Sequence, residues 1–165
     1  MNPKLVGDQV GRKNTKIMDR LYNNEAIVGS VILLLLNGND MDFARLSIVV
    51  PMLINDKIRN SLSNHKDDTV AEVIKYCYAD VTFNRIYQEM LIIEINSLVM
   101  LSQADLVLVT KDRISLTNMG KAVIKDIRNT HSKRLKRILL VYNSILNRVN
   151  CINTEILYKS LNIQL

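Results

Sequence analysis

Apolar residues recur at helical spacing along most of the chain, and in one place they alternate. That place is Asp105 to Gly120, where Leu106 to Val109 and Ile114 to Leu116 flank the polar turn Thr110-Lys111-Asp112-Arg113. Period-two apolar runs around a polar turn predict a β-hairpin, with Asp112 as a turn residue although the favoured Asn-Gly or Asp-Gly pair is absent. Thr117 or Asn118 is then placed to cap a new helix. The other periodic segments all predict helix. The first starts near Asn23-Asn24-Glu25, runs to Leu36 and stops at Asn37-Gly38. Its unbroken apolar run Val31 to Leu36 requires cover on most sides, and Gly29 and Ser30 would let a neighbouring helix approach closely.

Asp42 caps the next segment, which continues to Leu62. Pro51 lies midway and predicts a kink or two shorter helices meeting there. Thr69 and Glu72 make a capping box for a helix bearing Val70, Val73, Ile74 and Cys77 on one face. Asp80 or Thr82 opens a long helix from Phe83 to about Gln103. After Gly120, Ala122, Val123, Ile124 and Ile127 mark a short amphipathic helix. Ser132 caps a last long helix, Lys133 to Arg148, whose Leu135, Ile138, Leu139, Tyr142, Ile145, Leu146 and Val149 form one stripe. Asn153 or Thr154 caps a terminal helix with Ile156, Leu157 and Leu161. The expected fold is mainly α with one small β-hairpin, a winged-helix-like helical domain over residues 22–165 with C-terminal helices. An arm, residues 1–21, precedes it, polar, mixed in charge and without a core of its own.

Composition agrees with this pattern. The chain has 165 residues, enough for one domain with a real core, with 48% apolar residues but only 5% aromatic ones and no Trp. Leu, Ile and Val must therefore do the packing. Five Gly and two Pro favour helix. Cys77 and Cys151 lack paired-motif spacing, which suggests a reducing cytoplasm with both thiols buried rather than bridged. The first twenty residues hold no apolar core of a signal peptide, and no run approaches the roughly 20 apolar residues of a spanning helix, so a soluble, cytoplasmic protein without membrane contact is expected.

Charge adds one feature. Lys121, Lys125, Arg128, Lys133, Arg134, Lys136 and Arg137 stand against a single acid, Asp126, so this segment carries the whole net charge of +6. The run is either a solvated helix face or an electrostatic footprint for nucleic acid or an acidic partner. Its place directly after the hairpin, whose turn holds Lys111 and Arg113 beside Asp112, keeps the footprint reading open. The helix before the hairpin argues against base reading. Reading bases needs an outer face of Arg, Asn, Gln or Lys. The polar set there is Arg85, Gln88, Glu89, Glu94, Asn96 and Ser97, in which two acids would be repelled by phosphates.

Catalytic chemistry has no foothold. No Gly-rich phosphate loop, Cys/His cluster, Ser-His-Asp logic or His-x-x-x-His motif occurs, and neither histidine sits in a motif. His65 reads as a solvated loop residue. We expect no enzyme, no cofactor and no metal site, and any ATP hydrolysis must belong to a partner.

Three runs carry a resemblance: Asn24-Glu25-Ala26 to Leu36, then Leu46-Ser47-Ile48-Val49-Val50-Pro51-Met52-Leu53-Ile54-Asn55, then Ile58-Arg59 to Leu62. Together they resemble the middle component of bacterial ABC three-component systems. In that family an apolar first helix with small residues precedes a Leu-x-Leu-Pro-Leu-Leu-like segment, a polar break, an Arg and a Leu. The chain departs from it at Ile54-Asn55-Asp56-Lys57, where a His-Lys-Thr-like sequence is usual. The resemblance implies a non-catalytic bridging subunit like the middle subunit of Lamassu-type anti-phage and anti-plasmid complexes. Its implied partners are an SMC-type coiled-coil ATPase, a nuclease-like effector and, through the complex, double-stranded DNA. On that expectation Val31, Leu34, Leu35, Val50, Pro51 and Leu53 would dock on the ATPase. Lys111, Arg113, Lys125, Arg128, Lys133, Arg134, Lys136 and Arg137 would meet DNA or an acidic partner. The alternative is a free winged-helix transcriptional regulator, which would need a polar recognition helix.

Overall fold

A computed structural model describes residues 25–77 and 83–164, with the side chains of Tyr76 and Cys77 outside the description. The arm, and the expected caps at Asn23, Asn24, Asp80 or Thr82, lie outside the described residues. The chain is mainly helical with one two-stranded antiparallel hairpin. Helix α1 covers residues 25–35 and ends where Gly38 takes φ +102°, a conformation that suits glycine. It is followed by α2 (Phe43–Ile54), α3 (Asp56–Asn64), α4 (Val70–Cys77) and α5 (Phe83–Gln103). The hairpin pairs β1 (Val107–Val109) with β2 (Ile114–Leu116), and Val107 faces Leu116 across it. Then come α6 (Asn118–Arg128), α7 (Lys133–Leu139), α8 (Tyr142–Asn150) and α9 (Thr154–Ser160).

The expected caps are made where the residues are described. Asp42 accepts from the Arg45 N–H at 2.7 Å, Thr117 from Gly120 at 3.0 Å, Ser132 from Leu135 at 3.4 Å and Asn153 from Glu155 at 2.8 Å. Thr69 and Glu72 exchange the reciprocal bonds of a capping box. Two expectations are corrected. Helix α2 continues past Pro51 and ends four residues later, at Asn55, whose N–H still reaches the Pro51 carbonyl at 3.0 Å. Asn55 caps α3 by accepting from Lys57 and Ile58, both at 3.1 Å. The expected Lys133–Arg148 helix is two helices, separated at Leu140–Val141, where the Val141 N–H bonds to Ile138 one residue early.

The core is built around α1 and α2. Every described apolar residue of the run Val31 to Leu36 is buried, as is every residue from Leu46 to Ile54. Helix α2 packs on α3, α5 and α8, and α3 packs on α4. Leu135, Ile138, Tyr142, Ile145, Leu146 and Val149 close the core from the C-terminal side. The loop between α1 and α2 adds Met41, which pairs with Ile114 as an isolated antiparallel bridge and ties the hairpin to the core.

Candidate interaction surfaces

Among the described residues four arginines are used inside the molecule, each donating to at least one carbonyl in the last turn of a helix. Arg59, 2% exposed, donates to the Leu53 carbonyl at 2.8 Å and to the Asp56 carboxylate at 2.5 Å. Arg134 donates to Ile54 at 3.1 Å, so the last two carbonyls of α2 are both met by arginine. Arg148 reaches from α8 to the Leu62 carbonyl near the end of α3 at 2.7 Å, and to the Asp68 carbonyl in the loop that follows. Arg45 reaches from α2 to the Val149 carbonyl at 3.0 Å and the Ile152 carbonyl at 2.8 Å, and its Nε donates to Thr154. A guanidinium suits this work because it stays charged and offers a fork of donors to the negative end of a helix. Arg59 enters the sequence reading through the resemblance and Arg134 as a candidate contact for DNA or an acidic partner, whereas Arg45 and Arg148 carry no signal there.

The six remaining cations of the basic segment face solvent; Lys121 stands one turn before Lys125, the first of the other five. Lys125 and Arg128 lie in the last turn of α6, and Lys133, Lys136 and Arg137 in α7. All five are exposed, and none makes a salt bridge among the described residues. These five lie on two helices that pack on each other across the short link 129–132. Asp56 feels one of them, Arg137, together with Arg59 and Arg134. Its carboxyl is held below the ordinary carboxylate range first by the Arg59 hydrogen bond, with Arg134 and Arg137 adding to the effect. Lys111 and Arg113 are not part of this group. They sit at the exposed hairpin tip, at the opposite end of β2 from the start of α6, and Arg113 lines a polar cleft with Asp40, Asp42 and Asp112. The tip is therefore mixed in sign.

The expected docking residues are corrected outright. Val31, Leu35, Val50 and Leu53 are 0% exposed, Leu34 is 1% exposed and Pro51 is buried. They are the centre of this chain's own core and present nothing to a partner. The apolar surface lies instead on α5. Phe83, Tyr87, Leu98 and Leu101 turn inward, while Ile92, Ile95, Val99 and Met100 face out. A shallow groove of about 440 Å³ runs beside them, walled by Phe43 and Val109. Glu94, expected on the outer polar face, is instead fully buried, and neither of its carboxylate oxygens has a hydrogen-bond partner among the described residues. Burial pushes its pKa up to about 9. Glu89 stays outside and pairs with Arg85 at 2.9 Å.

Two further groups were invisible in the sequence. Ser47, Tyr87 and Tyr158 form a hydroxyl cluster joining α2, α5 and α9, with the two tyrosine oxygens 3.1 Å apart and Tyr158 donating to the Ala44 carbonyl. Burial raises the Tyr158 pKa well above its usual range. Cys151, expected in the core, is exposed, its thiol donating to the Asn147 carbonyl, because the α8–α9 turn carries it outward. His65 is exposed, as read, at the end of α3. No cluster of three His, Cys, Asp or Glu that could hold a metal occurs among the described residues. No helix among them is long and apolar enough to cross a membrane. No family model matches the chain, and no curated protein or solved structure matches it.

Proposed function

We propose that the chain is a non-catalytic bridging subunit of a Lamassu-like bacterial defence complex. It works in the cytoplasm beside an SMC-type coiled-coil ATPase and a nuclease-like effector, and contributes to the sensing of double-stranded DNA by the complex. The observation that carries this reading is the group of five exposed cations on α6 and α7, none of which makes a salt bridge among the described residues. Such a surface gains most from a polyanion, either duplex DNA or an acidic face of the ATPase. The resemblance over residues 24–62 supports the choice of complex. Its hallmark residues serve the core and the α2–α3 junction, so they speak for a shared architecture and leave the docking to other surfaces.

The order α5, β1, β2, α6, with Met41 pairing to Ile114, supports a winged-helix-like arrangement. The regulator alternative draws less support, because Ile92, Ile95 and Val99 occupy the outer face of α5 where base-reading side chains would stand. On this proposal a coiled-coil ATPase is expected to be encoded beside this chain, and co-expression with it is the test. A stoichiometric complex is expected, with DNA-stimulated ATP turnover that falls when Lys125, Arg128, Lys133, Lys136 and Arg137 are changed to Glu. Tight binding of the lone chain to one palindromic sequence, with no such ATPase as neighbour, would make it a regulator instead.

A further inference from the structure

Helix α5 carries a second pattern on its outer face. Gln88, Ile92, Ile95, Val99 and Ser102 are all exposed and follow one another at steps of four, three, four and three. That spacing is the narrow seam of a helix meant to pair with another helix, distinct from the broad stripe by which α5 already packs on its own core. The seam is apolar in the middle and polar at both ends, so it reads nearly the same in either direction about Ile95. Ile92 and Val99, the two residues next to the centre, are both β-branched, a shape that packs well in two-stranded seams.

We propose that two copies of this chain associate through α5, the two helices antiparallel about a two-fold axis near Ile95. In that arrangement Ile92 of one copy meets Val99 of the other, and Gln88 meets Ser102. The groove walled by Phe43 and Val109 receives the flank of the second helix. The exposed Arg85 at one end approaches the exposed Asp105 just past the other end, once on each side of the axis. The area also fits. An ordinary dimer buries about 800 Å² per partner, about 65% of it apolar, which asks for about 500 Å² of apolar surface. Ile92 at 68% exposure, Val99 at 50%, Ile95 and Val109 at 48% and Phe43 at 36% together present on the order of 500 Å². A closed two-fold contact covers this face completely, with no sticky edge left over. This inference concerns the chain alone and stands apart from the choice of complex proposed above.

Sedimentation of the full chain at micromolar concentration should give the dimer mass. Ile95→Lys, a change at an exposed position that leaves the core untouched, should weaken the dimer at least tenfold with circular dichroism unchanged. Geometry is tested by cysteine pairing in a Cys151→Ser background. Ile95→Cys should cross-link to its own counterpart under mild oxidation. Arg85→Cys should not, yet it should link to Asp105→Cys when the two variants are mixed. A monomer at tens of micromolar would overturn the proposal, as would a dimer indifferent to Ile95→Lys. A monomer in which this face resists covalent labelling would also overturn it, by placing another segment of the same chain there.

Discussion

At the scale of single residues, Glu94 is the most unusual group in the molecule. A carboxylate buried with no hydrogen-bond partner among the described residues pays its full desolvation cost, so it holds its proton to a pKa of about 9. In the unfolded chain the same group ionises near its ordinary value of 4.5. The folded pKa is the higher of the two, so the native state binds the extra proton. Glu94 therefore favours folding most below pH 4.5, and this support drains away as pH rises towards 9. The slope is at most about 1.4 kcal/mol per pH unit. Glu94→Gln removes the titration while keeping the shape. Denaturant titrations should find it close to wild type at pH 4 and a few kcal/mol more stable at pH 8 to 9. A difference that stays constant with pH would show that the carboxyl is hydrated or paired in solution. Two glycines make a second residue-scale contrast. A Cβ on Gly120 would overlap the Leu106 carbonyl oxygen and crowd the Leu116 side chain, against the hairpin that Thr117 clamps by donating to Asp105. Gly120→Ala should therefore cost roughly 2–3 kcal/mol. On Gly29 a Cβ would meet only the Leu101 side chain at 3.7 Å, an ordinary contact. Gly29→Ala should gain roughly 0.5–1 kcal/mol, since alanine suits a helix interior better. Thermal melts of the two variants should shift in opposite directions.

At the scale of elements, the α2–α3 junction shows how a helix end can be closed from within. Asn55 ends one helix and caps the next, which diverts the Lys57 N–H away from the Leu53 carbonyl. Arg59 fills that vacancy from one turn further on. Arg59→Met keeps the length of the side chain but leaves the carbonyl and Asp56 unanswered. Its expected cost is about 1–3 kcal/mol, and Asp56 should then titrate closer to its ordinary value, which NMR can follow. Much of this layer was legible in the sequence. The hairpin, the bounds of α5 and the caps at Asp42, Thr69 and Ser132 rest on local chemistry, which a linear pattern records. The break at Asn55 was displaced to Pro51 because proline is the louder local signal, although a helix can carry it when the next N–H still finds its carbonyl. The break at Leu140 had no local signal, since neither Gly nor Pro marks it. On its two sides, Arg134 in α7 and Arg148 in α8 are anchored to different carbonyls of the molecule. The burial of Glu94, and the outward turn of Ile92 and Ile95, could not be read either. A helix rich in apolar residues on every side leaves its own inward face undetermined, and that choice is made by what packs on it.

At the scale of the whole molecule, nine of the chain's 22 Lys and Arg residues fall into two uses. Arg45, Arg59, Arg134 and Arg148 spend their donors on internal carbonyls, while Lys125, Arg128, Lys133, Lys136 and Arg137 crowd onto two adjoining helices. Like charges this close repel one another, so the folded state should gain stability from anything that screens or neutralises them. Two measurements separate that effect from a solvated face. Adding duplex DNA at low salt should raise the melting temperature by mass action, and the rise should vanish as salt approaches about 0.5 M. Direct binding should weaken linearly on a plot of log affinity against log salt. If most of the five cations meet phosphates, the slope should lie near −4, and each Lys→Gln or Arg→Gln change among them should reduce it by about one. Changing Lys111 and Arg113 at the hairpin tip should alter the slope much less, because Asp40, Asp42 and Asp112 already share that cleft. Arg134→Gln supplies the internal control. It should lower stability through the Ile54 carbonyl while leaving the salt slope nearly unchanged. If Arg134 contributed to the slope equally with those five cations, the division between structural and solvent-facing cations would fail.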